Sequence, residues 1–541
     1  MPASDANQPP PFENRNLYLS DRALQHAAAR EGAAWAHARL SAWGERLGAA
    51  ATLALAARAN RFAPELRTHD RFGERLDEVA FDPAWHDLMA LAMREGEHCT
   101  PWIEPRPGAQ VARAAAYLLH AEVENGTQCP ITMTYAAIPV LRRYADAWPP
   151  LAALWLPRML AREYDPRSLP VGGKASALVG MGMTERQGGS DVRANLTRAE
   201  PGADGSYRVT GHKWFFSAPM CDAHLVLAQA PGGLSCFFLP RILPDGSRNA
   251  VRIVRLKDKL GNRSNASSEV EFAGATAWLL GEEGRGVPVI IEMVQHTRLD
   301  CVIGSAGVMR GSTARAVHHA QHRRAFGRRL VEQPLMQNVL ADLSVESEAA
   351  TALALRLART FEADATQTEK ALARLATPAV KYWVCKRTPA VVAEAMEVLG
   401  GNGYVEDSEL PRFYREAPLN SIWEGSGNVI ALDVLRAAGR ESAAVDALIA
   451  ELELARGANA RLDRHALELA AALRGEAMGE REARRVATAI ATGLAASILV
   501  RHAPAAIAEA FCASRLGTGF DTLGTLPGAS DLAAVIDARP A

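Results

Sequence analysis

The residues best able to do chemistry lie in segment 421–428, which reads Ser-Ile-Trp-Glu-Gly-Ser-Gly-Asn. One carboxylate, Glu424, stands among small residues, beside an aromatic ring and just before an apolar helical run. A carboxylate in that setting can lie against a flat ligand and, once desolvated, take a proton from a carbon acid. The alternative is a surface glutamate that offsets the dipole at a helix N-terminus.

A Gly-rich segment, 183–191, stands about 240 residues upstream and reads Met-Thr-Glu-Arg-Gln-Gly-Gly-Ser-Asp. Thr184 and Ser190 offer hydroxyls, and the glycines allow close backbone approach. Backbone N–H groups of such loops bind a heterocycle edge or a phosphate. The strand-like run Trp-Phe-Phe-Ser at 214–217 adds an aromatic face. A structural turn and a core aromatic cluster are the alternatives.

Two further segments suit a phosphate-containing ligand. Residues 400–404 read Gly-Gly-Asn-Gly-Tyr after a helical run, which is more glycine than a helix cap needs. Residues 323–327 read Arg-Arg-Ala-Phe-Gly at the end of a long helical pattern. Their arginines can clamp a phosphate, or they can simply offset the helix dipole.

Composition excludes several classes of protein. The chain has 541 residues and a formal net charge of −1, enough for several domains and without a global pull toward nucleic acid or anionic membrane. Seven scattered cysteines argue against a disulfide framework or a zinc site and favour a reducing cytoplasm. No signal-peptide pattern is visible, and the longest apolar stretch, 486–500, is typical of a buried core helix.

The elements that position these segments fall into four predicted domains. Residues 1–175 combine a proline-rich arm of about 15 residues, disordered or docked, with helical patterns such as 23–47 and 110–123. Residues 176–285 form a β-domain, 286–440 a four-helix bundle and 441–541 a helical extension. The predicted strands are 177–183, 207–216, 223–229, 234–239 and 268–272, and the predicted bundle helices are 293–325, 336–363, 370–400 and 425–439.

The order of these motifs resembles the acyl-CoA dehydrogenase family over about residues 80–440. Seven segments match in register, and they are 183–191, 213–217, 259–263, 281–286, 323–327, 400–404 and 423–425. The AidB branch of that family is more similar still. Its marks are segments 16–21, 129–134, 212–217, 256–266 and 420–428, together with the helical extension after the bundle.

The resemblance implies a mainly α fold with an inserted β-sandwich or barrel domain, bound FAD and a homotetramer built as a dimer of dimers. The residues that match the family's FAD contacts are Met181, Gly182, Met183, Thr184, Gly189, Ser190, Phe215, Phe216, Ser217, Arg323, Phe326, Gly400, Gly401, Ile422, Trp423, Gly425, Ser426, Gly427 and Asn428. Arg323 and segment 400–403 would reach the FAD of a neighbouring subunit. Pro334 departs from the family's glutamine near the adenine.

Glu424 aligns with the family's general base. The resemblance implies that it takes the α-proton of an acyl-CoA thioester while the β-hydrogen leaves as hydride to flavin N5. Hydrogen bonds from the base's own backbone N–H and from a ribityl hydroxyl would stabilise the developing enolate oxygen. Arg298 either guards the substrate pocket or forms an interhelical ion pair.

The AidB branch also implies sequence-independent binding of double-stranded DNA, protection from alkylation, and only weak dehydrogenation. The candidate DNA contacts are Arg436, Arg440, Arg474, Arg481, Arg484, Arg485 and Arg515. Composition does not favour this, because residues 441–541 contain ten Arg against thirteen Asp plus Glu, a balance of −3. A third hypothesis is a scaffold role in which FAD only stabilises the tetramer.

Overall fold

The structure, a computed structural model, describes residues 7–146, 148–475, 479–517, 522–527 and 530–538. Its contacts divide the chain into two compact units. The helical unit comprises the described residues of Met1–Leu53, Arg106–Val123 and Arg298–Ala541. The β-containing unit comprises those of Ala54–Pro105 and Glu124–Thr297. Glu424 therefore belongs to the helical unit, and the Gly-rich loop belongs to the β-containing unit.

The first 175 residues are mostly helical, as the spacing of apolar residues predicts. The α-helices are α1 (Arg22–Ala28), α2 (His37–Gly48), α3 (Ala50–Arg61), α4 (Pro83–Glu95), α5 (Thr100–Ile103), α6 (Ala109–Ala121), α7 (Gln128–Arg143) and α8 (Leu156–Met159). Shorter π and 3-10 turns occupy Ala29–Ala33, Ala34–Ala36, Leu151–Trp155 and Val171–Gly173.

This part departs from the predicted pattern in two places. The helix predicted over 23–47 is interrupted at Gly32, whose φ of 100° is incompatible with a continuous helix. Strands β1 (Glu65–His69) and β2 (Arg75–Ala80) form an antiparallel hairpin that was not predicted. The turn between them is closed by Asp70, whose side chain accepts hydrogen bonds from backbone N–H groups two and four residues later.

The β-domain is a seven-stranded sheet. Its strands are β3 (Val179–Gly182), β4 (Arg198–Pro201), β5 (Tyr207–Ser217), β6 (Ala223–Ala230), β7 (Gly233–Pro240), β8 (Val251–Leu256) and β9 (Ser267–Leu280). The order is β3-β6-β4-β5-β9-β7, and the additional β6–β7 pairing closes five of the strands into a barrel. All five predicted strands are present, whereas β4 and β8 were not predicted.

Alternating side chains fill the barrel. Val209 of β5 and Phe272 of β9 are buried in one apolar cluster with Phe237, while the neighbours of Val209 and Phe272 along their strands are exposed. This alternation is the period-2 pattern of a strand with one buried face. Strand β5 belongs to the barrel and ends in the 214–217 segment, and β3, which pairs with the barrel strand β6, leads into the Gly-rich loop.

The four predicted bundle helices are confirmed. They are α9 (Gly286–His322), α10 (Pro334–Arg359), α11 (Gln367–Val398) and α14 (Gly427–Arg440). Between them lie the two-residue strands β10 (Arg324–Ala325) and β11 (Arg328–Arg329), and the short helices α12 (Gly401–Tyr404) and α13 (Leu410–Glu416). Thr366 and Glu369 form a capping box that starts α11.

The residues after 440 continue as helices. These are α15 (Ser442–Glu453), α16 (Ala460–Arg474), α17 (Ala483–His502), α18 (Ala505–Arg515) and α19 (Leu532–Asp537). Helix α17 packs on α10, α11, α14 and α15, so it shares its core with the bundle. The segment Glu480–His502 is long and apolar enough to span a membrane, but 72% of its most apolar window is buried inside the protein. It is a core helix, as predicted.

Candidate active site

Glu424 lies in a tight turn that joins a 3-10 turn at Leu419–Ser421 to helix α14. Its φ is 57°, in the left-handed region, and Gly425 follows with a φ of 104°. A non-glycine residue there costs about 1–3 kcal/mol and persists only where surrounding structure enforces it. The structure therefore holds the carboxylate-bearing residue in a conformation that the isolated chain would avoid.

Two buried cations hold this turn by its carbonyl oxygens. The Lys381 ammonium, on α11 and only 1% exposed, donates to the carbonyls of Trp423 at 2.6 Å and Gly425 at 2.7 Å. Nε of Arg298 donates to the carbonyl of Glu424 at 3.1 Å. Three successive carbonyls are thus bound by charged donors, and such bonds are stronger than neutral ones.

Arg298 takes the interhelical role of its two predicted alternatives. Its Nη1 donates to Asp433 of α14 at 2.7 Å, and Asp433 also accepts from Arg374. Burial by itself raises the pKa of Asp433, but the two arginines outweigh it and lower that pKa. Arg298 is buried and holds the turn by these bonds, and its role in guarding the substrate pocket stays a prediction.

Two buried cysteines, Cys301 on α9 and Cys385 on α11, lie near Lys381. Burial raises the pKa of Cys301 well above its usual value and also raises that of Cys385. The Cys385 thiol accepts from Ser305 at 3.3 Å, and Asn420 donates to the same hydroxyl. Thiols in this state are poor nucleophiles. Glu424 is therefore the group here that is suited to proton transfer.

In the β-containing unit, a buried ion pair fixes the Gly-rich loop. The Lys213 ammonium on β5 lies 2.8 Å from Glu185, and neither side chain is exposed. Glu185 also accepts from the backbone N–H groups of Leu196 and Thr197. Burial by itself raises the pKa of Glu185, but Lys213 and these donors outweigh it and lower that pKa to about 2. The loop is thus anchored to the barrel by the ion pair between Glu185 and Lys213.

Two glycines of the predicted flavin-binding segment lie where an added side chain would clash with a neighbour. A Cβ on Gly189 would lie 2.4 Å from the hydroxyl oxygen of Thr184, so only glycine fits beside it. A Cβ on Gly182 would lie 2.5 Å from the ring of Phe216. Thr184 is half-buried, Gly189 and Ser190 are exposed, and Met181 and Met183 are half-buried on either side of Gly182.

The two predicted aromatic contacts behave differently. Phe215 is 53% exposed, with the Lys257 ammonium 4.8 Å from its ring centroid, and the half-buried Ser217 follows it on the same strand. Phe216 is only 2% exposed and stacks on the ring of His224 inside the barrel, with ring centroids 3.9 Å apart. Burial lowers the pKa of His224 to about 3, so this stack is uncharged. The prediction that Phe216 faces a flavin is therefore wrong.

Segments 323–327 and 400–401 form an exposed surface of the helical unit. Phe326 stands at the tip of the β10–β11 hairpin with a φ of 52° and is 99% exposed. In the part of the chain that the structure describes, no residue beyond the local backbone lies within 4 Å of the position a Cβ would take on Gly400 or Gly401. Nη1 of Arg323 donates to the carbonyl of Asn7, which places residues 7–12 of the predicted arm against this surface. The arm is docked there, and its residues 1–6 lie outside the described residues.

Segment 422–428 brings a predicted flavin contact and a predicted DNA contact together. Ile422 and Ser426 are exposed, Trp423 is half-buried, and Gly427 is buried. The side-chain oxygen of Asn428 accepts from Nε of Arg484 on α17 at 2.8 Å. Arg484, a predicted DNA contact, therefore lies beside the segment that is predicted to contact the flavin.

The predicted DNA-contacting arginines fall into three groups. Arg436, Arg440 and Arg481 are exposed. Arg474 and Arg485 are exposed but pair with Asp446 and Glu482, respectively. Arg515 is only 3% exposed and binds Asp342 and Glu346 of α10 inside the helical unit. The prediction that Arg515 contacts DNA is wrong, because it ties the extension to the bundle.

Comparison with known proteins identifies the family. Residues 7–166 match the adaptive response protein AidB N-terminal domain, residues 180–275 the acyl-CoA dehydrogenase middle domain, and residues 284–439 the acyl-CoA dehydrogenase C-terminal domain. The chain is 53% identical to AidB of Escherichia coli K12 over 469 residues, 86% of each chain.

Solved structures show the same fold over nearly the whole length. The apo form of Bd2924 is 31% identical and matches with a TM-score of 0.81 over 92% of this chain and 99% of that one. ACDH-11 of Caenorhabditis elegans, solved with C11-CoA, is 26% identical and matches with a TM-score of 0.82 over 99% of this chain and 92% of that one. The chain therefore belongs to the acyl-CoA dehydrogenase family, and it shares the N-terminal domain of AidB.

Proposed function

We propose that this protein oxidises an acyl-CoA thioester to its α,β-unsaturated form, with Glu424 as the general base. Members of this family are oxidoreductases, and FAD is the family's cofactor. The observation that carries the proposal is the strained turn at Glu424, held from below by Lys381 and Arg298. A relative solved with C11-CoA supports a CoA thioester as the substrate class.

The residues present fit FAD by two independent observations. In the β-containing unit, Phe215 is an exposed ring beside a hydroxyl-bearing loop, and nothing lies within 4 Å of a Cβ position on Gly188. In the helical unit, Gly400 and Gly401 leave the same kind of space open, and Asn428 is exposed at the start of α14. Open backbone and an aromatic face are what a flat heterocycle with a pyrophosphate requires.

Proton and hydride leave the substrate on separate routes. The α C–H bond breaks and its proton goes to the Glu424 carboxylate, whose oxygen forms the new O–H bond. When bound, FAD supplies the acceptor for the β-hydride, so the substrate loses two electrons and gains a C=C bond. Because the α-proton is a weak acid, the base has to be held in place and shielded from water.

The turn meets the first of these needs. Lys381 and Arg298 bind the carbonyls of residues 423–425, so the peptide planes on either side of Glu424 cannot rotate freely. Asp433 in turn holds Arg298 from the adjoining helix. The carboxylate is therefore presented by a pre-organised backbone, and little entropy is lost when substrate arrives.

Replacement of the base tests this proposal. Glu424→Gln should keep yellow, FAD-loaded protein but lose bleaching of the flavin when acyl-CoA thioesters of graded chain length are added without oxygen. Glu453→Gln, which changes an exposed carboxylate on α15, is the matched control and should bleach as the unaltered protein does. Bleaching by Glu424→Gln at the unaltered rate would refute the assignment of the base.

We infer a second candidate function, sequence-independent binding of double-stranded DNA that protects it from alkylation. The observation in its favour is that Arg436 and Arg440, one turn apart on α14, are both exposed, with Arg484 near the start of the same helix. Affinity should fall steeply with salt, and Arg436→Gln with Arg440→Gln should lower the slope by about 2. Absence of DNA retention at low salt would reject this function.

Self-association is the proposed role of the exposed 323–327 and 400–404 surface. Phe326 and Tyr404 are large side chains that are 99% and 81% exposed on one unit, and a contiguous apolar patch that includes both would mark a protein interface. We place them in a homotetramer in which the surface meets the FAD of another copy. Light scattering should show a smaller assembly for Phe326→Ser if this is correct, and an unchanged tetramer if it is not. All seven cysteines are buried and none forms a disulfide among the described residues, which suits a cytoplasmic location.

A further inference from the structure

A cavity of about 410 Å³ lies within the helical unit. Its walls include the guanidinium groups of Arg30, Arg356, Arg359 and Arg501. None of the described residues assigned above to FAD, acyl-CoA or DNA lines it. We propose that this cavity is a binding site for a small molecule with an oxyanion group, a phosphate or a carboxylate.

The backbone on one side of the cavity is built for close packing. The π turn Ala29–Ala33 ends α1, and Gly32 within it packs against Gly108 at the start of α6. A Cβ on Gly108 would lie 2.1 Å from the carbonyl oxygen of Gly32, so no other residue fits. This wall is therefore a defined part of the fold.

The carboxylates in the cavity wall already have partners. Glu451 accepts two bonds from Arg356, at 3.1 and 2.8 Å, and one from Arg501 at 2.8 Å. Glu31 accepts from Nε of Arg30 at 2.7 Å. Glu369 accepts at the start of α11 from the backbone N–H of Thr366. Each of these three carboxylates is therefore already engaged, and Glu369 also lies 3.4 Å from Nε of Arg359.

Guanidinium donors remain unused. Nη1 of Arg356 and Nη2 of Arg30 are buried, and neither finds a hydrogen-bond partner among the residues that the structure describes. Arg356 Nη1 lies 3.9 Å from the nearest Glu369 oxygen, beyond hydrogen-bond range. A buried N–H without an acceptor is costly, and native proteins seldom leave one. An oxyanion only accepts hydrogen bonds, so it is the kind of group that suits guanidinium donors of this kind.

The local charge favours an anion as well. Burial lowers the pKa of His502, another wall residue, and repulsion from Arg30 and Arg501 lowers it further against the opposing glutamates.

Arginines near helix ends often only offset the dipole. Arg356, in the last turn of α10, instead directs its Nε and one Nη to a carboxylate of α15.

The cavity has room for more than the anionic group. Its volume falls within the range of roughly 300–1,000 Å³ typical of small-molecule sites. Pro107, Leu454 and Ile498 add apolar surface to the wall. The expected ligand therefore has an oxyanion at one end and a small, partly apolar body.

Calorimetric titration of the full-length, FAD-loaded protein at constant ionic strength tests the site. The probes are inorganic phosphate and, separately, malonate. We expect saturable binding of at least one probe, weakened about tenfold or more by Arg30→Met. Leu454→Trp should weaken it similarly by filling the cavity without changing any charge. Arg461→Met, which removes an exposed arginine of α16 paired with Glu509, is the control and should bind normally.

Each outcome decides the proposal. Phosphate binding that Leu454→Trp abolishes assigns a phosphate-bearing ligand, and malonate binding with the same behaviour assigns a carboxylate. Absence of saturable binding by both probes would overturn the proposal. Binding that survives Leu454→Trp unchanged would also overturn it, because the anion would then occupy another site.

Discussion

Replacement of Lys381 by methionine should disable the turn that presents Glu424 while leaving the FAD-binding segments in place. The substitution keeps most of the side-chain volume but removes two hydrogen bonds, of 2.6 and 2.7 Å, from a buried ammonium. Each charged bond contributes about 1.5–3 kcal/mol. Part of that loss is offset because a buried charge is also removed. We therefore expect the free energy of unfolding to fall by about 2–4 kcal/mol.

The effect on chemistry follows from the strained backbone. Without Lys381, the left-handed conformation at Glu424 loses its main support and competes with ordinary conformations that are about 1–3 kcal/mol lower for a non-glycine residue. Each 1.4 kcal/mol shifts a population tenfold. Flavin reduction by acyl-CoA should therefore slow by about 10- to 100-fold in anaerobic stopped-flow experiments, while the ratio of FAD to protein stays constant.

Two comparisons make this result decisive. Lys370→Met changes an exposed lysine on the same helix and should leave the rate unchanged. If Lys381 acts only by positioning the base, Lys381→Met should cost almost nothing further in a Glu424→Gln background, a non-additive result typical of one functional unit. Flavin reduction by Lys381→Met at the unaltered rate would refute the proposed role of the turn.

Three further predictions concern stability and cofactor content. Burial raises the pKa of Glu362 to about 7, above its value in the unfolded chain. The contribution of Glu362 to the free energy of unfolding is therefore present at low pH and is lost as pH rises through about 7. In urea unfolding, the free energy of unfolding of Glu362→Gln should equal that of the unaltered protein at pH 5 and exceed it by roughly 1–2 kcal/mol at pH 8. A difference in unfolding free energy that does not change with pH would contradict this. Lys213→Met should cost roughly 3–5 kcal/mol of unfolding free energy by leaving Glu185 charged and buried, with partial recovery on adding Glu185→Gln, and tryptophan fluorescence would follow it. Gly189→Ala should lower FAD content by forcing a methyl group within 2.4 Å of a threonine hydroxyl, whereas Gly172→Ala, with open space around it, should not; equal FAD absorbance in both would oppose the steric argument.

Local patterns predicted most of the architecture. The sequence predicted the bundle helices, five strands and the burial of α17, because helical and strand periodicity are properties of short segments. The hairpin at 65–80 was missed because its polar, exposed strands bury no continuous face. Strands β4 and β8 were missed as well, and both are short strands of four and six residues.

Only part of the candidate site could be predicted from the sequence. Glu424 and Gly425 could be found because a carboxylate between small residues is a local feature. Lys381 was missed, since a lysine inside a long helix normally reaches solvent, and only folding shows that this one is buried under the turn. Arg515 was assigned to DNA for the converse reason, because nothing in its neighbourhood along the chain shows the acids of α10.

The sequence by itself identified the family, the fold class, and the candidate base with the glycine that follows it. These depend on residue types at fixed spacing, which short segments contain. Tertiary structure decided which side chains are buried and which partners they find. Phe216 entered the barrel, Arg298 became a support of the turn, and four arginines gathered around one cavity. Burial and ion pairing join residues far apart in the chain, so their energies arise only once the chain has folded.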